Sequence, residues 1–213
     1  MTDIKLNNNL QKRTLAQWLF NPFQFIAGGS ALLLGLAIIL IIAYINSLRN
    51  ASFGKNTPLW FYYTYGLNNW LWISVTLYFA GRIISHSSLR AIDVLGTQAL
   101  ARAPYLLSAL VKLSIGYNRF ADFIISLSSH RTSAVNITPN DSLLFVIVII
   151  ICFLLFIWAL VLMYRAYAIS CNVKGRKAIV SFIVAFIVAE ILSNLVFFGS
   201  LSLVLGFSAV YSR

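Results

Sequence analysis

Long apolar stretches separated by short polar connectors dominate the chain. Residues 25–45 form a 21-residue apolar run, and residues 142–164 form a 23-residue run without a charged side chain. A helix rises about 1.5 Å per residue, so each run is long enough to cross the roughly 30 Å hydrocarbon core of a bilayer. These two runs are the clearest predicted membrane spans.

Three less uniform stretches predict further spans. Residues 66–84 follow a cluster of Trp and Tyr side chains, which favour the membrane–water boundary. Residues 96–117 are interrupted by charged residues and a proline, and residues 178–206 carry one acidic side chain near their middle. The pattern therefore predicts an all-α fold, a bundle of five transmembrane helices within residues 25–213.

The ends and connectors of these stretches indicate how the helices are arranged. Residues 1–24 are predicted to form a cytoplasmic or interfacial N-terminal segment. Their second half is aromatic and apolar, which suits the membrane interface, and Pro22 favours the start of a helix. Residues 166–177 form a short basic connection between the fourth and fifth predicted spans. Because helices joined by short connections usually pack together, we expect these two spans to form an antiparallel hairpin.

The composition is typical of a multi-pass integral membrane protein. Of the 213 residues, 60% are hydrophobic and only 10% are charged, against about 25% charged in average soluble domains. So few charges could not cover the apolar surface of a soluble globule, which excludes a water-soluble enzyme and a disordered chain. The net charge of +11 is interpreted as loop charge that sets membrane topology, and we expect no nucleic acid partner.

The positive charges predict an orientation. With the N-terminus in the cytoplasm, ten Lys and Arg residues lie in inside segments and six lie outside. Lys174, Arg176 and Lys177 crowd the last connection, which favours the cytoplasmic side for it. An odd number of spans then places the C-terminus outside.

Six polar residues within or beside the predicted spans are the candidate functional residues: Glu190, Asn194, Lys112, Arg102, Asn68 and Asn69. Glu190 is the most informative, because an ionisable group at bilayer depth is costly and usually faces protein or water. Asn194 follows one helical turn later on the same face, so the two could form a polar seam. Glu190 is interpreted either as a proton or ion site or as a structural group paired with Lys112, Arg102 or an asparagine amide.

The other candidates have mainly structural interpretations. Arg102 and Lys112 bracket a nine-residue apolar core and can extend toward opposite interfaces, with a charge relay as the alternative. Asn68 and Asn69 predict hydrogen bonds between helices rather than ligand binding. Pro104 predicts the start or a kink of a helix.

The sequence contains no motif for catalysis, cofactor binding or metal coordination. It lacks HExxH, GxSxG, the GxxxxGK[ST] phosphate loop and GxGxxG. His86 and His130 lie 44 residues apart without further ligands at metal spacing, and Cys152 and Cys171 do not form a CxxC pair. We therefore expect no enzymatic activity, no cofactor and no metal.

The fourth and fifth predicted spans and their connection carry a family resemblance. Residues 157–191, IWALVLMYRAYAISCNVKGRKAIVSFIVAFIVAEI, resemble the closing half of the Yip family of Rab-interacting, five-span membrane proteins. The matching positions are Trp158, Leu160, Leu162, Ala166, Lys177 and Ala178. LFNPFQFI, residues 19–26, and GTQALARAPYLLSAL, residues 96–110, resemble the family's lead-in to its first span and its entry to the third.

The resemblance implies an N-in, C-out orientation, which the charge distribution also favours. In eukaryotic relatives it implies binding of small GTPases and a part in vesicle traffic, through a long cytosolic N-terminal region. Only 24 residues precede the first predicted span here, and they lack that region's acidic-aromatic motifs. A bacterial-type member in the inner membrane is therefore expected, and GTPase binding is doubtful.

The leading interpretation is a non-enzymatic membrane-organising or scaffold component that contacts the lipid bilayer, membrane-protein partners or further copies of itself. The rival is a small permease or transporter subunit, in which Glu190, Asn194, Lys112 and the paired asparagines line a polar path at mid-membrane. Convergence of Glu190 and Lys112 on a water-reachable cavity would favour transport. Separate satisfaction in dry helix contacts would favour the scaffold.

Overall fold

The structure, a computed structural model, describes residue 19 and residues 21–49, 57–85, 88–128 and 137–211, with residues 201–211 described by their backbone alone. After a short 3₁₀ turn at Pro22–Gln24, the helices are α1 (Gly28–Arg49), α2 (Leu59–Ile84), α3 (Ala91–Leu100), α4 (Ala103–Val111), α5 (Ile115–Ser128), α6 (Pro139–Ser170) and α7 (Gly175–Tyr211). Within these ranges every regular element is helical. The predicted all-α fold is confirmed for this part of the chain.

Four helical segments are long and apolar enough to cross a membrane: Gly28–Leu48, Ala91–Val111, Pro139–Ser170 and Gly175–Ser200. They correspond to the first, third, fourth and fifth predicted spans, and they are the helices of a multi-pass membrane protein. α2 is 26 residues long, yet its Trp, Tyr and Asn side chains keep it outside this set. The second predicted span is therefore present as a helix, and five spans are not confirmed.

The third predicted span, residues 96–117, overlaps the observed candidate span Ala91–Val111 with shifted bounds, and the predicted helix start at Pro104 is confirmed. The helix begins at Ala91, and a two-residue turn after Leu100 separates α3 from α4, so that residues 112–117 fall outside both. Pro104 explains the break, because in a continuous helix its ring would clash with the carbonyl of Leu100 and it has no N–H to donate. It instead occupies the first turn of α4, where the missing N–H costs nothing.

α5, which the sequence pattern did not predict, packs beside the beginning of α6. Tyr117 stacks on Phe145 with ring centroids 5.2 Å apart, and Phe120 lies 4.7 Å from the same ring. Elsewhere on α5, apolar residues such as Ile124 and Leu127 are exposed. An amphipathic helix of this kind is typical of a segment that lies in the membrane–water interface.

α1 and α3 pack closely through small residues. A methyl group added at Gly96 would lie 2.6 Å from the carbonyl oxygen of Gly28, and one added at Gly35 would lie 2.5 Å from the backbone of Ala99. Ala31 is fully buried on the same side of α1. Small residues let helix backbones approach in a membrane, where lipid provides no hydrophobic drive for association. This contact holds α3 against α1.

α7 runs antiparallel along α2 and meets α6 mainly near their connection. Phe197 of α7 lies against Phe61 near the start of α2, with ring centroids 5.0 Å apart. Toward α6, the hydroxyls of Tyr167 and Ser181 share a hydrogen bond of 2.9 Å beside the ring of Phe182. The predicted hairpin is therefore present next to its four-residue connection, where Tyr164 and Tyr167 of α6 contact Phe182 of α7, and along the rest of its length α7 contacts mainly α2.

The largest apolar cluster lies where α2 ends and α7 begins. Leu77 of α2, Tyr167 of α6 and Ala178 of α7 are fully buried there. Gly81 leaves room for Cys171 to approach α2, and burial raises the pKa of that thiol to about 12. This packing joins three long helices, and the other half of α2 makes both aromatic and polar contacts.

Candidate functional site

A cavity of about 390 Å³ lies between α1, α2, α4 and α7, and is called the polar cavity below. Its polar lining residues are Asn46, Tyr62, Tyr65, Asn69, Arg102, Tyr105 and Glu190, and its other lining residues are Ile39, Ile42, Ala43, Gly66 and Ala109. Pockets for small molecules usually measure about 300–1,000 Å³. The polar cavity is therefore large enough for a small solute.

α2 supplies one wall of the polar cavity through residues at helical spacing. Tyr62, Tyr65 and Asn69 follow one another at intervals of three and four residues, so they share one face. Asn68 faces α7 instead, where its amide donates to the carbonyl oxygen of Ser193 at 2.9 Å and to the hydroxyl at 3.0 Å. The predicted interhelical hydrogen bond of Asn68 is confirmed, whereas Asn69 also lines the cavity.

Asn69 bridges Arg102 and Glu190. Its side-chain oxygen accepts a hydrogen bond from Arg102 Nη1 at 2.9 Å, and its amide nitrogen donates to the carboxyl oxygens of Glu190 at 3.2 and 3.3 Å. This orientation of the amide suits both neighbours, because a guanidinium only donates and an ionised carboxylate only accepts. The predicted pairing of Glu190 with an asparagine amide is confirmed, and it extends one hydrogen bond further to Arg102.

Arg102 reaches this position from the turn between α3 and α4. Its side chain is 7% exposed, and its Nε and Nη2 atoms have no hydrogen-bond partner among the described residues. The prediction that Arg102 extends toward an interface is wrong, because the helix break directs it to Asn69. A buried donor without a partner costs about 1–3 kcal/mol, and more when it is charged. The two buried donors of the guanidinium that lack a protein partner therefore require water or a ligand to satisfy them.

Two candidate residues do not line the polar cavity. Lys112 is half-buried directly after α4 and does not line the cavity, so the convergence of Glu190 and Lys112 that would favour transport is not observed, and Arg102 lines the cavity with Glu190 instead. Asn194 is exposed on α7, and its amide donates to the backbone carbonyl of Glu190 at 2.8 Å. The predicted seam of Glu190 and Asn194 therefore involves the backbone of Glu190 and not its carboxyl group.

Comparison with protein-family models, curated proteins and solved structures found no match. The Yip resemblance stays a prediction that rests on residues 19–26, 96–110 and 157–191. The last two segments lie in the α3–α4 pair and in the α6–α7 pair. The role of the polar cavity is therefore inferred from its own geometry.

The tyrosines of the polar cavity were not predicted as site residues. Tyr105 follows Arg102 by three residues, and Tyr65 precedes Asn69 by four. Helical spacing from a charged or amide residue is the signal that could have identified them. Gln98 has no sequence signal of this kind. It is fully buried, and its amide donates a hydrogen bond to the carbonyl oxygen of Met163 at 3.0 Å, which connects α3 with α6.

A larger apolar groove of about 730 Å³ lies between α2 and α7 on the outside of the bundle. Phe79, Ile83 and Val180 line it and are more than half exposed, and Arg176 and Lys177 lie at one end. Its lining hydroxyl groups are already bonded within their own helices, as in the hydrogen bond of Thr76 to the carbonyl of Trp72. The groove therefore resembles the lipid-facing surface and not a solute site.

Metal ligands are not grouped in the part of the chain that the structure describes. Within it, no cluster of three or more His, Cys, Asp or Glu side chains could hold a metal ion. His86 and His130 lie outside the described residues. Cys152 and Cys171 are free thiols, and Cys152 accepts a hydrogen bond from the hydroxyl of Ser108 at 3.2 Å.

Proposed function

We propose that this protein is a small permease, or the membrane subunit of one, that binds a polar solute in the polar cavity. The observation that carries the proposal is the convergence of Arg102, Asn69 and Glu190 on one cavity among helices of membrane length. Ionisable residues at bilayer depth are costly and commonly mark solute or ion paths. Here they line a space of solute size and are not closed off in a dry helix contact.

The interrupted span supports the same function. Transporters commonly build substrate sites from discontinuous helices near the bilayer midplane, where irregular backbone lines a cavity. The turn between α3 and α4 divides the candidate span Ala91–Val111 near its middle, and it carries Arg102. The break therefore delivers a charged side chain to the depth at which a solute would be held.

We further propose five spans, with α2 as the second. Its 26 residues extend about 39 Å, enough to cross a bilayer, and it is paired with α7. Arg82, in the last turn of α2, lies at the same end of this pair as Arg176 and Lys177. Positive charge gathered at one end favours the cytoplasmic side for it, which supports an N-in, C-out protein of the bacterial inner membrane.

A Yip-like scaffold is the second candidate function, and the contact of α2 with α7 favours it. Asn68 and Ser193 satisfy each other in this contact, and the rings of Tyr65 and Phe197 pack beside them at 5.1 Å. Contacts of this kind hold helices together without any solute. In a scaffold, Glu190 would serve only to accept the hydrogen bonds of Asn69.

Labelling by a charged, membrane-impermeant thiol reagent separates the two functions. Ile42→Cys places a thiol in the polar cavity, and Ile150→Cys places a matched thiol on the exposed face of α6. A permease predicts that Ile42→Cys reacts from water, whereas Ile150→Cys, surrounded by lipid, does not. Equal resistance of both variants, measured above the background of Cys152 and Cys171 in the unsubstituted protein, would contradict a solute path.

A further inference from the structure

Arg102 and Glu190 both keep spare hydrogen-bonding capacity at the polar cavity. Nε and Nη2 of the guanidinium have no partner among the described residues, although the side chain is more than nine-tenths buried. The amide of Asn69 supplies the hydrogen bonds that Glu190 accepts, and a carboxylate has about four acceptor sites. Beside the cavity, Arg102 therefore keeps two buried donors without a protein partner, and Glu190 keeps acceptor capacity of the opposite charge.

We infer that the polar cavity binds a compact zwitterion of the α-amino acid class, with its carboxylate on Arg102 and its ammonium group on Glu190. The inference rests on the proposed function, because it names the class of solute. Nε and Nη2 lie side by side on one edge of the guanidinium, and this edge matches the two oxygens of a carboxylate in a bidentate pair. Nη1 is already engaged by Asn69, which fixes the edge that remains.

Charge balance selects a zwitterion over a simple anion. Arg102 and an ionised Glu190 carry no net charge together, so a monocarboxylate or a phosphate would add uncompensated negative charge within the bundle. Such a charge is costly where water is excluded. A zwitterion adds one charge of each sign, and each of them meets an opposite charge across the cavity.

The apolar wall indicates the side chain of the solute. Ile39, Ile42 and Ala43 of α1 and Ala109 of α4 line the cavity together with the rings of its tyrosines. These groups offer contact area and no charge, so they suit an aliphatic or aromatic side chain. We therefore expect amino acids of the leucine or phenylalanine type to bind better than those with charged side chains.

Binding to the purified protein in lipid nanodiscs tests the inference. The probes are the twenty L-amino acids, scored by thermal shift and then by calorimetry. Any amino acid that binds is compared with its amide, which lacks the carboxylate, and with its des-amino acid, which lacks the ammonium group. We expect an aliphatic or aromatic amino acid to bind, and both analogues to bind at least about tenfold more weakly, because each leaves a buried charge unpaired.

Two variants assign the two ends of the solute. Arg102→Lys keeps the charge but lacks the planar edge, so it should reduce the discrimination between the amino acid and its amide. Glu190→Gln should reduce the discrimination between the amino acid and its des-amino analogue. Arg165→Lys, at an exposed position of α6, is the matched control and should leave both ratios unchanged. A merely structural role would change the affinity for all probes alike.

The outcomes distinguish this inference from the proposed function. A des-amino acid that binds as tightly as its amino acid overturns the zwitterion and leaves solute binding intact. If no amino acid binds while Ile42→Cys is still labelled from water, the cavity serves a solute of another class and the inference fails alone. If no amino acid binds and Ile42→Cys is protected, the inference and the proposed permease fail together.

Discussion

α6 and the α3–α4 pair are both candidate spans, yet they are built in opposite ways. α6 is one uninterrupted helix of 32 residues, and only 11% of its most apolar 18-residue stretch is buried. The α3–α4 pair is interrupted and less apolar, yet 56% of its corresponding stretch is buried. The more hydrophobic segment therefore lies at the outside of the bundle and the less hydrophobic one lies inside.

The difference teaches how to interpret hydrophobicity in a membrane protein. Lipid is as apolar as a leucine side chain, so strong hydrophobicity marks contact with lipid, whereas small and polar residues mark contact with protein. Gly96, Thr97, Gln98 and Ala99 are consecutive in α3, and all are buried. The least apolar of the four candidate spans is therefore the one that carries Arg102 of the candidate site.

Removing the charge from the broken span should have the largest effect. Arg102→Leu leaves the oxygen of Asn69 without its donor and Glu190 without its nearby positive charge, and each buried group that loses its partner costs about 1–3 kcal/mol, more where it is charged. We expect loss of folded protein on size-exclusion chromatography in detergent. Arg165→Leu, at an exposed position of α6, should elute as the parent does. If Arg102→Leu also elutes as the parent does, the greater burial of the α3–α4 pair does not make it more sensitive than α6 to the loss of an arginine.

Enlarging a glycine should come next in effect. Gly96→Val places its side chain against the backbone of α1, and overpacking of this kind costs about 1–3 kcal/mol. Gly199→Val of α7 is the control, because nothing lies within 4 Å of an added Cβ there. The thermal unfolding midpoint in detergent should fall for the first and stay unchanged for the second. An unchanged midpoint for Gly96→Val would argue against the close contact of α1 and α3.

Glu190 should tolerate an amide better than a hydrocarbon as far as folding is concerned. Glu190→Gln keeps an acceptor for Asn69, whereas Glu190→Leu removes it at a cost of about 0.6–2 kcal/mol for an intramembrane hydrogen bond. We expect both variants to bind the amino acid more weakly in nanodiscs, and only Glu190→Leu to lose stability. A Gln variant that folds and binds solute normally would reduce Glu190 to a structural group and favour the scaffold.

A truncation on the lipid-facing side of α6 should have the smallest effect. Leu154 is 60% exposed, so Leu154→Ala should change the free energy of unfolding by no more than about 0.5 kcal/mol. Reversible unfolding in mixed micelles provides the measurement. A loss of several times this size would mean that another protein surface, such as a second copy of the chain, covers this face of α6.

The lipid-exposed part of the fold could be predicted from the sequence, and the interior only in part. Residues 142–164 were identified within the observed Pro139–Ser170, because every residue of a lipid-facing helix contributes to one compositional signal. The sequence identifies Glu190 and Arg102 as ionisable residues that are costly at bilayer depth. Their shared partner is Asn69 of α2, and this pairing depends on which helices pack against α2. Such long-range pairing has no local signal, and for the same reason the longer contact of α7 with α2 was not predicted beside its hairpin with α6.

Synthesis from the N-terminus separates the two charges of the polar cavity in time. α2 and the α3–α4 pair are made first, so Asn69 and Arg102 can meet early, whereas Glu190 arrives only later, with α7. Until then the growing bundle holds a guanidinium without its acidic counterpart, and the oxygen of Asn69 is the acceptor already at hand. Insertion of α7 is thus the assembly step that brings the carboxyl group of Glu190 to Asn69 and Arg102.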